Sequence, residues 1–360
     1  MINCHEMNGS TALHIAVECG HIEIVRFLLH DYGVLRHLTD SQDRTAFELA
    51  KTDEIRQLFH RLPIYGNRFC NETINSVQFT IKEFDEKNNV PSGRVEGHEN
   101  RRTIADEKSH RLYQQPDSLF MRFSDKLMPY KAGNDEFILK TWDVLLSLID
   151  QYIGSTNKQY HKAKILIKQY YETGRPDSLI RLYTLETPFY LHINEKKETS
   201  ECLASAIYYS LRFLHPRAFT GLCYRGLSMT MEELEDYQWA TRKTRRYLVT
   251  NTFCSATRDI NLAQNFAEIR AFGQRKPVLI VFDFYSRCWT AIQLEKLSDK
   301  LPSISEMESE QEVLILPRST FHVEKVESDS PIATIYLTFY PLHQEIDDYY
   351  TNLAEIISKF

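Results

Sequence analysis

Residues 221–257 read GLCYRGLSMTMEELEDYQWATRKTRRYLVTNTFCSAT, and the spacing of their apolar positions changes twice. Gly221 to Leu227 is an apolar run of strand length. Thr230, with Glu233 three positions later, forms a capping-box pair that opens a helix carrying Leu234 and Tyr237. Tyr247 to Cys254 is a second strand-like run. Downstream, Val278 to Phe284, Thr290 to Leu294, Val313 to Leu316, Phe321 to Val326 and Thr334 to Phe339 read as further strands. Upstream the period is helical: Ile138, Trp142, Leu145, Ile149 and Tyr152 share one face, and Leu203, Ile207, Leu211 and Leu214 another. Helices come first and strands follow. That segregation predicts an α+β fold with a mixed or antiparallel sheet and an N-terminal helical lobe, not an alternating parallel sheet. No Gly-x-Gly occurs, so the dinucleotide fingerprint and the P-loop are both missing.

With 360 residues, the chain has room for two or three domains. Its 42% apolar and 26% charged residues place it among globular proteins. Lys plus Arg total 43 against 49 Asp plus Glu, so no global positive field exists to hold nucleic acid or an anionic membrane, and neither is expected as a partner. The seven cysteines (4, 19, 70, 202, 223, 254 and 288) form no Cys-x-x-Cys pair and no ligand cluster with His or Asp, so neither a disulfide framework nor a metal is expected. The N-terminus MINCHEMNGS has no apolar stretch of signal length, and no apolar run approaches the roughly 20 residues of a membrane span. A soluble, cytoplasmic protein is the expectation.

Gly9-Ser-Thr11-Ala-Leu-His14-Ile-Ala16 is echoed 34 positions later by Arg44-Thr45-Ala-Phe-Glu48-Leu-Ala50. In the first copy Thr11 caps a short helix bearing Ala12, Leu13 and Ala16, Gly20 ends it, and Ile22, Val25, Leu28 and Leu29 form the apolar face of a second. The unit resembles an ankyrin repeat, with TALHIA close to that family's signature. The second copy lacks the His, retains Ile55, Leu58 and Phe59, and resembles a terminal repeat. Residues 1–62 are therefore expected to be two ankyrin repeats, with a protein partner implied. Residues 63–115 are polar and read as a linker holding a strand at Val77 to Ile81, and 116–360 as the larger domain.

Three segments of that domain carry chemistry. Tyr224-Arg225-Gly226 ends a strand; a guanidinium fixed there can clamp a diphosphate, and it can equally be a surface charge at a turn. In Thr252-Phe-Cys254-Ser255-Ala256-Thr257 the hydroxyls of Ser255 and Thr257 would share one face of a strand and could orient a carboxylate or a ribose, or else satisfy a turn before the helix Leu262 to Ile269. Glu306, Glu308, Glu310 and Glu312 alternate ahead of the apolar Val313 to Leu316. On an extended segment these four carboxylates would line one face, about 7 Å apart. A solvated loop is the default for Glu306 and Glu308, while Glu310 and Glu312, next to the strand, are the pair expected inside a cleft.

Taken in order, Tyr-Arg-Gly, Phe-x-Ser-x-Thr and Glu-x-Glu resemble the arginine-specific mono-ADP-ribosyltransferases, whose signature is Arg, Ser and Glu-x-Glu on successive strands. The likeness runs from about Ser118 to Thr338 and includes Tyr183-Thr-Leu-Glu-Thr-Pro188-Phe-Tyr190, similar to the family's helical stretch ahead of the catalytic core. It implies that NAD is the substrate, that Arg225 binds its phosphates, that Gly226 meets the carboxamide through its backbone, and that Ser255 orients the catalytic carboxylate Glu312. Glu310 falls at the acceptor-recognition position, where Glu is associated with arginine, so a protein with an exposed arginine is the implied acceptor. Phe266 is placed near the nicotinamide or in the core. The sequence departs from the family's usual Ser-Thr-Ser at Ala256.

The chemistry suits these residue types. Nicotinamide departs neutral, so no general acid is required, and one carboxylate can stabilise oxocarbenium charge on the ribose. A second can align a guanidinium and take its proton as bonding begins. Two alternatives stay open: an NAD glycohydrolase with water as acceptor, and an interaction protein without turnover, motivated by Ala256. A lid role for the repeats would predict higher activity once residues up to Leu62 are deleted.

Overall fold

The computed structural model describes residues 3, 9–60, 79–83, 136–195, 203–204, 206–208, 210–241, 246–269 and 273–340. The chain divides into two compact units: Met1–Asn67, Ala132–Ile193 and Leu294–Glu312 make the first, and Arg68–Lys131, Asn194–Gln293 and Val313–Phe360 the second. Most of the expected linker 63–115 lies outside the described residues, as does the Ile138 side chain.

In the first unit, Thr11 caps α1 (Ala12–Glu18) in a capping box whose third position is His14. Gly20 follows at φ +76, a left-handed conformation that side chains disfavour. α2 (Ile22–Arg26) runs on as a π-helical turn, Phe27–Asp31. In the second copy residues 46–49 form a turn, not a helix, and Thr45 makes an isolated antiparallel bridge to Thr39. α3 (Asp53–Leu58) is capped by Thr52, whose hydroxyl accepts from the Ile55 amide. Leu13, Ala16, Val17, Val25, Leu28 and Leu29 of the first copy and Ile55 and Phe59 of the second share one apolar cluster. Each large side chain so buried contributes about 1.5–3 kcal/mol. His14 joins the copies: its Nε2 lies 3.1 Å from the Arg44 carbonyl oxygen.

The helices of this unit are α4 (Glu136–Tyr152), α5 (Tyr160–Thr173), α6 (Asp177–Thr184) and α7 (Phe189–Glu195), the last crossing into the second unit. Leu145 and Ile149 on the stripe of α4 are fully buried, while Trp142 and Tyr152 are half-buried. Ala163, Leu166, Ile167 and Tyr170 line the inner face of α5, which stops where Gly174 adopts φ +63. Tyr183, Phe189 and Tyr190 are buried.

The second unit is built on an eight-stranded sheet in the order β1-β3-β7-β8-β5-β2-β4-β6. The strands are β1 (Phe79–Glu83), β2 (Ala218–Met229), β3 (Arg246–Thr250), β4 (Cys254–Thr257), β5 (Lys276–Gln293), β6 (Glu312–Ile315), β7 (Thr320–Glu327) and β8 (Ala333–Phe339). β5 and β8 pair in parallel, whereas β1–β3, β2–β4, β2–β5, β3–β7, β5–β6 and β7–β8 pair antiparallel. Of the strand expected at Val77 to Ile81, Phe79 to Ile81 lie in β1, and Val77 and Gln78 lie outside the described residues.

Two strand expectations are corrected. Tyr247 to Cys254 is not one strand: β3 pairs with β1 and β7, whereas β4 pairs with β2, and the chain changes place in the sheet at residues 251–253. The runs at 278–284 and 290–294 are one strand, β5. Between the Phe219↔Cys288 and Gly221↔Phe284 pairs β2 advances two residues and β5 four, so the exposed Tyr285, Ser286 and Arg287 bulge without ending the strand. Phe282, Phe284, Phe321 and Phe339 pack at the centre of the apolar core, ring centroids 5.2–6.1 Å apart.

α8 (Met231–Thr241) opens on the expected capping box: the Glu233 carboxylate accepts from the Thr230 amide at 2.8 Å, and the Thr230 hydroxyl from the Glu233 amide at 3.2 Å. α9 (Ile260–Ile269) follows β4. Among the described residues no helix is long and apolar enough to cross a membrane.

Candidate active site

Arg225 lies on β2 and Ser255 on β4, 2% and 1% exposed. The two strands are joined at Tyr224↔Thr257, and the Arg225 Nη1 donates to the Ser255 carbonyl oxygen at 2.7 Å. A surface charge at a turn is therefore excluded for Arg225. Among the described residues, the Arg225 Nε and the Ser255 hydroxyl are buried without a partner. A buried unpartnered polar group costs about 1–3 kcal/mol, and such groups are rare in folded proteins. Here two occur on residues already bonded to each other. Thr257, by contrast, accepts from the Asp259 amide at 3.1 Å and serves the turn that opens α9, so it does not share the role expected for Ser255.

Gly226 has a packing reason of its own. A Cβ there would collide with the Ala263 carbonyl oxygen and lie 2.7 Å from the Ala267 nitrogen, so only glycine lets α9 press onto β2. Phe266 is on the same helix and half-buried. Ala256 is fully buried in the apolar cluster of the sheet with Cys254, Val278 and Ile280. A hydroxyl at this position would enter that core. Burial pushes the thiols of Cys223 and Cys254 up and that of Cys288 up to about 11, so none of these three is a thiolate nucleophile at neutral pH.

The acidic residues belong to the first unit, and here the sequence expectation is corrected. Residues 308–310 form a single 3₁₀ turn and Gln311 takes φ 44, so the four carboxylates do not line one extended face. Nor is Glu306 solvated. It is 3% exposed, with one carboxylate oxygen 2.5 Å from Lys162 Nζ and the other 3.3 Å from His37 Nδ1. Its backbone amide donates to Thr184 Oγ1 at 2.9 Å. Burial alone would raise the Glu306 carboxyl, but Lys162, His37 and Arg181 outweigh it and hold it well below the usual carboxylate range. Burial, followed by the Arg181 charge, lowers His37 to about 4, leaving it neutral at pH 7. Burial pushes Glu308 up to about 7 against the pull of the Thr45 hydroxyl and Arg181.

Glu310 closes the 3₁₀ turn and is 5% exposed; Glu312 begins β6 and is 1% exposed. The Ser305 hydroxyl lies 3.5 Å from a Glu312 carboxylate oxygen, and the Glu312 carbonyl accepts from the Leu294 amide at 2.9 Å. Arg181 reaches the backbone of the same segment, donating to the carbonyls of Ser303 and Ser305.

Sequence reasoning missed Lys162, Arg181, His37 and Ser305. Lys162 carried a legible signal, because it falls on the helix face that also bears Leu166 and Tyr170, where a charge requires a buried partner.

A family model described as "Ankyrin repeats (many copies)" matches residues 2–50. No curated protein matches the chain. Its structural neighbours include ADP-ribosyltransferases and bacterial effectors. The ADP-ribosyltransferase HopU1 of Pseudomonas syringae pv. Tomato DC3000 is 16% identical with a TM-score of 0.38, over 59% of this chain and 99% of that one. The type III effector XopAI of Xanthomonas axonopodis pv. citri is 13% identical with a TM-score of 0.38, over 66% and 99%. Exoenzyme S of Pseudomonas aeruginosa, solved with human 14-3-3 protein beta and Carba-NAD, is 10% identical with a TM-score of 0.33, over 58% and 96%. These are distant likenesses.

Proposed function

We propose that this protein is a mono-ADP-ribosyltransferase that moves one ADP-ribose from NAD to an arginine side chain of a protein and releases nicotinamide. The observation that supports this is the buried Arg225–Ser255 couple, with a guanidinium N–H and a hydroxyl that have no partner among the described residues. A diphosphate is the chemistry a strand-held guanidinium favours. Arg225 binds the NAD phosphates, the Gly226 backbone meets the carboxamide, Phe266 packs near the nicotinamide ring, and Ser255 orients Glu312.

Nicotinamide leaves as a neutral base, so the barrier is charge development on the ribose. Glu312, bonded to the 2'-hydroxyl, stabilises that charge more than the ground state. Glu310 aligns the acceptor guanidinium, which is protonated at neutral pH and a poor nucleophile until a carboxylate accepts its proton. The C–N glycosidic bond breaks, a new C–N bond forms to the guanidine, and its proton passes to Glu310. Loss of turnover finds no support at Ala256, whose side chain belongs to the apolar core.

The test is incubation with NAD and agmatine, following nicotinamide and the conjugate by mass spectrometry. Glu312→Gln is expected to cut nicotinamide release about 10²–10³-fold. Glu310→Gln is expected to retain NAD hydrolysis and lose transfer. Unchanged transfer by Glu312→Gln overturns the assignment, and free ADP-ribose without conjugate in the parent protein makes it a glycohydrolase.

A further inference from the structure

The ankyrin segment is bound to the acidic segment by side chains, not merely joined to it through the chain. Within the first unit, the Thr45 hydroxyl donates to a Glu308 carboxylate oxygen at 3.1 Å, and Arg36 Nη1 lies 3.3 Å from Met307 Sδ. His37 faces Glu306 at 3.3 Å, and Lys162, which pairs with the other oxygen of Glu306, also donates to the Val34 carbonyl at 3.0 Å. Glu48 takes Lys296 at 2.8 Å. Three consecutive residues, Glu306, Met307 and Glu308, are thus each in contact with a side chain of the ankyrin segment, His37, Arg36 and Thr45 respectively. They are the residues that lead into the 3₁₀ turn ending at Glu310 and the left-handed Gln311.

Position 48 explains why contact is made here. It is the second copy's equivalent of His14, which in the first copy reaches the next repeat through the Arg44 carbonyl. Glu48 instead closes the cap on the Thr45 amide at 2.7 Å with one oxygen and gives the other to Lys296 of the acidic segment. The device that stacks repeat on repeat is replaced by one that binds residues 294–312.

We propose that the ankyrin segment is a positioning element for the acceptor-side carboxylate: through Thr45 on Glu308 and Arg36 on Met307 it fixes the turn that sets Glu310. The role of Glu310 in this rests on the transferase reading; the hold on the turn does not. Thr45 is a positioning residue, remote in sequence from the acids and without a part in the chemistry. The sign is opposite to that of a lid, since loosening the repeat weakens use of the acceptor.

Thr45→Val in the full chain keeps the side-chain volume and removes the donor, and Thr45→Ser retains it. Hydrogen–deuterium exchange over residues 305–311 is expected to quicken about 5-fold in Thr45→Val, with β2 and β4 unchanged and Thr45→Ser restored. With agmatine, KM is expected to rise about 5-fold while kcat for NAD hydrolysis and KM for NAD stay within about 2-fold. Unchanged exchange over 305–311 overturns the hold. A parallel rise of both KM values makes the effect structural and overturns the positioning role. If the parent protein releases no nicotinamide while exchange still responds to Thr45→Val, the hold stands and the transferase reading falls.

Discussion

Arg225 and Glu306 are both charged and both buried, yet their surroundings differ in kind. Glu306 is enclosed by Lys162, His37 and Arg181, drawn from two helices and a repeat of its own unit. Arg225 has a carbonyl for one nitrogen and nothing for Nε among the described residues, and the hydroxyl beside it is equally unpartnered. Isolated burial of a charge is expensive, so each arrangement must recover that cost somewhere. The Glu306 cluster recovers it by charge pairing with Lys162, although Glu306 Oε1 and His37 Nδ1, 3.3 Å apart, form no hydrogen bond. The Arg225 couple leaves Nε and the Ser255 hydroxyl without a partner among the described residues, which is where the proposed function puts the ligand.

The comparison breaks first at Glu306. Glu306→Gln leaves Lys162 buried without its counter-charge and is expected to destabilise the protein by about 3–5 kcal/mol in chemical denaturation. A loss below about 1 kcal/mol would mean that the cluster holds nothing together.

Acidity sharpens the same contrast. Folded His37 titrates at about 4 against an ordinary 6.5, so its stabilising contribution is complete above pH 6.5 and is lost as pH falls toward 4. Glu308, raised from 4.5 to about 7, acts in the opposite sense: its contribution is complete below pH 4.5 and lost as pH rises through 7. Between pH 4.5 and 6.5 the two slopes oppose each other and the melting temperature is expected to stay flat. Below that window it falls, as His37 finishes protonating and the depressed Glu306 carboxyl loses its advantage. Glu308→Gln removes one slope, so its melting temperature should climb by several degrees from pH 4.5 to 6.5. A profile still flat in that variant would refute the assignment.

The smallest effect falls on the incomplete side. Ser255→Ala removes a hydroxyl that has no partner among the described residues, so the ligand-free protein is expected to gain about 1 kcal/mol while KM for NAD rises. A protein destabilised by this change would place Ser255 among the scaffold residues instead.

Much of the sheet was legible, because β2, β6, β7 and β8 are apolar runs bounded by polar turns. The repeats were legible for a similar reason, their apolar positions recurring at a fixed offset. β5 was read as two strands because Tyr285-Ser286-Arg287 looks like a turn, and only the register with β2 reveals an exposed bulge within one strand. The Arg225–Ser255 bond joins residues 30 apart, and spacing along the chain says nothing about which nitrogen finds a carbonyl. Glu306 was misread as solvated because its partners, Lys162 and His37, lie 144 and 269 positions away, and a carboxylate announces burial only through them.

The exchange of His14 for Glu48 sets a rule for lengthening the array. A further 34-residue copy inserted after residue 50 would present its neighbour with a carboxylate where the preceding junction uses an imidazole, and would carry Thr45 and Glu48 away from Glu308 and Lys296. Inserted between the two copies, ahead of Arg44, the same unit would keep both junctions. Growth of this solenoid is thus permitted from within and blocked at its inner end.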